Sequence, residues 1–270
     1  SRAGYDPGAM AEFLSKLRAS SRLDAIRRGQ SPDTVDQFDY LATHPAPVAR
    51  VQRATGLAQR ANVRNPITAQ DLYLSKLDGM LYGDDPDQGF VRGQEFLHPK
   101  LRFAFRVPKG FGVFNTPQAV HGFGPSNTRF VFDGAKTHSG PMDAYISRVW
   151  APKLGLRDLE RITVNGMEAA TATTRARTNS STVDLRLVAY RSGESIFRFL
   201  FITPTDQTAA MSENLRRMTY SFRNLSAGEA SRLKPLILRI RTVQRGETVS
   251  GLARNLPFPD YRTERFRVLN

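Results

Sequence analysis

The chain has 270 residues, 40% of them hydrophobic, with no cysteine and a formal net charge of +14. That length and composition fit two modest domains with real cores and exclude a disordered tail, disulfides and thiolate metal sites. No run reaches about 18 consecutive apolar residues, so no segment reads as a membrane-spanning helix.

The charge is unevenly spread. Residues 1–90 carry 11 basic and 11 acidic side chains, residues 91–227 carry 19 and 10, and residues 228–270 carry 9 and 4. The basic two-thirds either favours anionic surfaces such as lipid headgroups and acidic glycans or is a solvated face. No Lys/Arg run is interleaved with stacking aromatics and no nucleic-acid motif appears, so nucleic acid is not an expected partner. Ser1-Arg2 opens the sequence without a charged-then-apolar leader, so any signal peptide is expected outside it.

The N-terminal segment reads as helical. Asp6 suits an N-cap with Pro7 at N1, and Met10, Phe13, Leu14 and Leu17 recur at helical spacing on one face. A polar loop at Ser31-Pro32-Asp33 leads to a second helix from about Pro45 through Val48, Val51, Thr55 and Ala58. A third starts near Thr68, carries Leu72, Leu77, Met80 and Leu81, and stops at Gly83 and Asp84-Asp85-Pro86. Three amphipathic helices without strands make half a domain, since each apolar face still needs a partner.

Residues 84–100 read as a Gly/Asp/Pro-rich connector. From Leu101 the apolar period changes from 3.6 to 2, with strands expected at 101–107, 129–132, 159–164, 168–177, 182–190 and 195–202. Asn165-Gly166 and Ser192-Gly193 are antiparallel turn chemistry. Met142 to Trp150 reads as a short helix, and Thr205 as the cap of a final helix bearing Met211, Leu215 and Met218. The expectation for 91–227 is one antiparallel sheet with at least two helices against it, an α+β domain rather than a doubly wound parallel sheet. In the tail, 236–243 reads as a strand, followed by a turn into a short helix and a second helical turn from Tyr261 to Val268.

A catalytic zinc site needs three converging protein ligands, most often with two histidines at i and i+4 on a helix. The chain contains no H-E-x-x-H, and its four histidines, His44, His98, His121 and His138, are far apart in sequence. Asp84-Asp85-Pro86-Asp87 lacks the alternating oxygen ligands of a calcium loop and reads as a helix stop. Ser139 and Ser192 have no nearby His–Asp arrangement, and Gly110-Phe111-Gly112 and Gly122-Phe123-Gly124 read as hairpin glycines. The aromatic residues Phe130, Phe132, Trp150, Phe197, Phe199 and Phe201 suit either a core or a ligand cage. His44 is either a helix-entry residue or a functional group.

Thr43-His44-Pro45 followed by Arg50-Val51, downstream of Gly4-Tyr5-Asp6-Pro7, Met10 and Phe13-Leu14, resembles the segment that closes metallopeptidase family 48, the HtpX-like and BepA-like enzymes. The resemblance covers about the first 55 residues. It implies that the H-E-x-x-H half and a Glu ligand precede this segment, that His44 approaches the zinc and gates the site, and that Arg50 lines or braces the cleft. The middle region, with Phe105-x-x-Pro108 near its start and Met218-x-x-Ser221-Phe222 near its end, is similar to PsbP-like domains, mainly in element order. Val243-x-x-Gly246-Glu247-Thr248-Val249-x-x-Leu252-Ala253 resembles the opening of a LysM module, with Glu247 where Asp is usual, and Phe266 to Asn270 resembles its second helix. LysM modules bind N-acetylglucosamine polymers, which implies either glycan contact through Gly246, Glu247 and Thr248 or packing of an incomplete module against its neighbour.

The resulting expectation is an α+β chain in four parts: a helical C-terminal part of a metallopeptidase domain at 1–83, a connector at 84–100, an α+β accessory domain at 101–227, and a linker with an incomplete β-α-α LysM-like module at 228–270. Its function would be that of a non-catalytic region of a periplasmic or secreted zinc metalloprotease, inactive alone, with zinc held only in the parent enzyme. The expected partners are the missing peptidase half and peptidoglycan or envelope proteins. The alternative is a stand-alone protein that binds peptidoglycan or an envelope protein.

Overall fold

The structure is a computed structural model that describes residues 4–27, 30–37, 45–178 and 181–270. The fold is α+β, and it divides into two compact units, 81–237 and a unit formed by 1–80 together with 238–270. Among the described residues no helix is long and apolar enough to cross a membrane.

The 81–237 unit holds two antiparallel sheets rather than the single one expected from the sequence. The smaller sheet orders β1 (Phe90–Arg92), β2 (Glu95–His98), β3 (Phe103–Arg106) and β11 (Arg223–Asn224). The larger contains β4 (Gly112–Asn115), β5 (Ala119–Phe123), β6 (Arg129–Ala135), β7 (Arg157–Val164), β8 (Met167–Arg177), β9 (Thr182–Ser192) and β10 (Ser195–Pro204), in the order 4-5-6-10-9-8-7. Its helices are α4 (Met142–Tyr145), which runs into a π turn over Ile146–Trp150, α5 (Thr208–Ser221) and α6 (Ala227–Arg232).

Strand alternation explains how the large sheet is covered on both faces. Val188 and Tyr190 of β9 and Phe197, Phe199 and Phe201 of β10 point one way, into a core with Phe103, Phe105, Phe130, Phe132 and Phe222. The helix α5 adds Met211, Leu215 and Met218 to that core from successive turns of one face. Leu187, Ala189 and Ile196 point the other way, onto Met142, Tyr145 and Ile146. The turn at Asn165-Gly166 has both residues at positive φ, which suits a two-residue hairpin joining Val164 to Met167. Asn165 Nδ2 also donates to the carbonyls of Tyr220 and Phe222 and so ties the hairpin to the end of α5.

Several local expectations are corrected here. The connector 84–100 folds as the β1–β2 hairpin around Gly93-Gln94, with Arg92 opposite Glu95. Gly122 is a strand residue, not a turn glycine: it faces Phe130 across the ladder, and a Cβ there would lie 1.7 Å from that ring. The last long helix begins at Thr208 after Gln207, not at Thr205, because β10 continues to Pro204. The stretch 236–243 makes only the bridge Leu81↔Ile237 instead of a strand.

The other unit is helical: α1 (Ala9–Arg27), a 3-10 turn over Pro32–Asp36, α2 (Pro47–Arg60), α3 (Gln70–Leu77), α7 (Val249–Ala253) and α8 (Arg262–Leu269). Asp6 accepts from the Gly8 N–H at 2.8 Å, three residues before the helix proper. The helix α3 ends at Leu77, earlier than expected, because Asp78 turns extended and Gly79 takes φ +84°. α1 packs on α2 and α8, and α7 packs on α8. Arg18 and Arg22 both reach Asp36, fixing the 3-10 turn to α1.

A polar groove beside the helix α5

On the α5 side of the large sheet, the apolar face gives way to a polar one toward one end of β8 and β9. Thr171, Thr173 and Arg175 continue the face of Ala169, and Asp184 and Arg186 continue the face of Val188 and Tyr190, by strict alternation. Arg186 sits directly between Thr173 on β8 and Phe201 on β10. Arg175 and Asp184 are directly opposed and form a two-bond ion pair, Nε–Oδ1 2.7 Å and Nη2–Oδ2 3.2 Å. Asp184 also accepts from the Thr208 hydroxyl at 2.7 Å, which holds the first turn of α5 over the sheet. The Arg175 guanidinium, with help from Thr208, keeps the Asp184 carboxyl below the usual carboxylate range against the opposing effect of burial.

The strand β7 closes the groove. Its register shifts between Arg157 and Glu160, and Asp158 takes φ +49° at that bulge. The bulge turns the Asp158 carboxylate toward β8, where it accepts from Thr173 Oγ1 at 2.6 Å. Two cavities result, of about 300 and 350 Å³, which share Asp158, Thr173 and Arg186. Ser212 and Thr208 of α5 wall the first, and Arg216 and Tyr220 wall the second. Arg216 is paired with Glu213 at 2.9 Å. Arg186 is half-buried and has no hydrogen-bond or ion-pair partner among the described residues.

The residues singled out from sequence lie elsewhere. His44 falls outside the described residues, and Arg50 is half-buried in the first turn of α2. Gly246 turns the chain with φ +89°, Glu247 accepts from the Gln244 N–H and from Arg241, and Thr248 caps α7 through the Gly251 N–H at 3.1 Å. The Glu247 and Thr248 side chains thus spend these hydrogen bonds within the turn. His98 is buried against Phe96 and Phe103, and its Nδ1 accepts from the Leu101 N–H at 3.2 Å, a core histidine. Among the described residues no group of three His, Asp or Glu side chains could hold a metal ion. The named phenylalanines pack into the core, while Trp150 lies 4.9 Å from the Arg198 guanidinium carbon. The groove was not singled out from sequence; its signal is the pair of patterns Thr171-x-Thr173-x-Arg175 and Asp184-x-Arg186 on strands whose same face is otherwise apolar.

No family model matches the chain, and none of the curated proteins matches it. Among solved structures, the cyanobacterial PsbP of Synechocystis sp. PCC 6803 matches at TM-score 0.40 and 12% identity, covering 54% of this chain and 98% of that one. A protein of Bacteroides thetaiotaomicron matches at TM-score 0.40 and 15% identity over 52% of this chain, which spans about half of that protein's length (51%). LpqN, described as involved in cell envelope biogenesis of Mycobacterium tuberculosis, matches at 0.37 and 13%, covering 55% and 90%. A PsbP is therefore among the structures matched.

Proposed function

We propose that the chain is the C-terminal, non-catalytic region of a periplasmic zinc-dependent metalloprotease of the BepA-like type. In this reading residues 1–83 complete the peptidase domain, 101–227 form an accessory domain that contributes substrate or cell-wall binding, and 228–270 carry an incomplete LysM-like module. The observation that carries the reading is the outward apolar stripe of α1. Met10, Phe13 and Leu17 are 59%, 60% and 43% exposed, while the described residues of this unit bury only Leu14, Leu23, Ala25, Ala54 and Ala253. An apolar stripe that faces solvent on so thin a core supports reading this unit as one side of a divided domain. The Gly4-Tyr5-Asp6-Pro7 and Thr43-His44-Pro45 spacing supports a peptidase half as the missing cover, with zinc held there and His44 and Arg50 at the cleft.

The test is co-expression with the H-E-x-x-H half of a BepA-like peptidase. The expected result is a zinc-loaded complex with proteolytic activity, lost when the motif's glutamate becomes glutamine, and a complex weakened by Phe13→Asp. Absence of a complex, or Phe13→Asp associating as well as the wild type, overturns the proposal. The second reading, a stand-alone protein binding peptidoglycan or an envelope partner, draws on the groove beside α5. Pull-down on peptidoglycan with and without residues 236–270 separates a tail-borne contact from one borne by the α+β unit.

A further inference from the structure

We propose that the groove between α5 and strands β7–β9 binds an acidic sugar, with Arg186 anchoring the sugar's oxyanion, a carboxylate or a phosphate. The anchor is chosen by elimination of internal partners. Of the carboxylates that line the two cavities, Asp184 is engaged by Arg175 and Thr208 and Asp158 accepts from the Thr173 hydroxyl, and neither these two nor Glu160 forms an ion pair with Arg186. Arg186 is left half-buried and unpaired among the described residues, in a cavity wall rather than at an exposed strand edge. Removing a guanidinium from water without a partner costs free energy, and a ligand oxyanion recovers it. The planar guanidinium fork matches a carboxylate or phosphate with two parallel hydrogen bonds.

Three further features point to the same chemistry. The first turn of α5 faces the cavity through Thr208, and it has neither a side-chain cap at Gln207 nor an acidic residue. The positive end of the helix dipole faces the cavity as well as Asp184, which Thr208 holds. Arg157 lines the first cavity and has no ion pair among the described residues, so that wall carries Arg157, Arg175 and Arg186 against Asp158 and Asp184. The rest of the wall suits hydroxyl groups: Thr171, Thr173 and Ser212 donate or accept, Glu160 accepts, and the Tyr220 ring offers an apolar face. Cavities of about 300 and 350 Å³ that share Arg186 sit at the small-ligand end of the usual pocket range. A neutral apolar ligand would leave these charges desolvated and unpaired.

The site lies wholly within residues 81–237 and does not depend on the metalloprotease reading. Isothermal titration of the full chain with glucuronate, glucose 6-phosphate, glucose and inorganic phosphate tests it. The expected result is that glucuronate or glucose 6-phosphate binds at least about tenfold more tightly than glucose, and which of the two binds identifies the oxyanion. Arg186→Gln should weaken that binding by about tenfold or more, Arg186→Lys should recover only part of it, and the exposed Arg157→Gln should weaken it about two- to fivefold. Thermal unfolding of each variant checks folding, and Thr173→Val serves as a second probe of the wall should Arg186→Gln fail to fold. Equal binding of acidic and neutral sugars, binding of none of them, or undiminished binding by Arg186→Gln overturns the proposal. Inorganic phosphate binding as tightly as glucose 6-phosphate, with no glucuronate binding, overturns the assignment of a sugar. Loss of sugar binding in a variant that still associates with a peptidase half distinguishes this site from the docking stripe on α1.

Discussion

Residues 81–237 bury ten phenylalanines, nine of them in one core together with one face of α5, beside two smaller clusters. The described residues of the helical unit bury two leucines and three alanines and leave Met10, Phe13, Leu17, Leu72 and Tyr73 at the surface. The helices differ in how sharply their apolar side is divided from the polar one, α2 and α5 strongly and α1, α3 and α8 weakly, but the larger difference between the units lies elsewhere. It lies in whether each apolar face meets a second one. In the α+β unit, both faces of the central strands β9 and β10 find a cover. In the helical unit α1 contacts α2 and α8, and the stripe of Met10, Phe13 and Leu17 remains uncovered. Burial, not amphipathicity, supplies the stability, so the two units should respond to substitution in opposite ways.

The largest effect belongs to Phe199, which is fully buried and packs against Phe105, Phe130, Phe132, Tyr190 and Phe201. Phe199→Ala should cost about 3–5 kcal/mol in chemical denaturation of the 81–237 transition. A cost below about 1 kcal/mol would break the contrast. Next is Tyr190→Phe, which removes the buried hydroxyl that donates to the Thr219 carbonyl at 3.0 Å. Leaving that carbonyl without its partner should cost about 1–2 kcal/mol in the same experiment.

A smaller effect follows from His98, whose imidazole is held below its usual 6.5 chiefly by burial. As pH falls below 6.5 the unfolded chain takes up the proton first, so stability present above that value is lost as pH falls toward the folded value. Urea midpoints at pH 7.5, 6.0 and 5.0 should decline for the wild type and decline less for His98→Gln. Parallel declines would sink this assignment. The smallest effect is expected at the exposed stripe: Phe13→Ser should change the stability of the isolated chain by no more than about 0.5 kcal/mol. A loss above about 1 kcal/mol would mean that the stripe is already covered.

Much of the α+β unit can be read from the sequence because its signals are local. Asn165-Gly166 announces its hairpin, the alternation in β8, β9 and β10 fixes their faces, and Met211, Leu215 and Met218 mark the buried side of α5. The smaller sheet is hidden because β1 and β2 are short and lie among Asp84-Asp85-Pro86, Gly89 and Gly93, which read as a connector. Two sheets cannot be told from one by alternation, since pairing β11 with β3 joins residues more than a hundred positions apart. The groove is hidden for a related reason. Thr173, Arg175 and Arg186 alternate as a solvent-facing strand side would, and only the position of α5 over the same face reveals them as a wall. His44 lies outside the described residues.

Hydrogen–deuterium exchange on the full chain, alone and mixed with an H-E-x-x-H peptidase half, tests most directly the claim that one unit is complete and the other awaits a cover. The account predicts that, in the chain alone, the amides of β8, β9 and β10 exchange far more slowly than those of α1. Addition of the peptidase half should then protect α1 around Met10 to Leu17 and leave the sheet unchanged. Equal protection of α1 and the sheet in the chain alone, or no change in α1 on mixing, would contradict it.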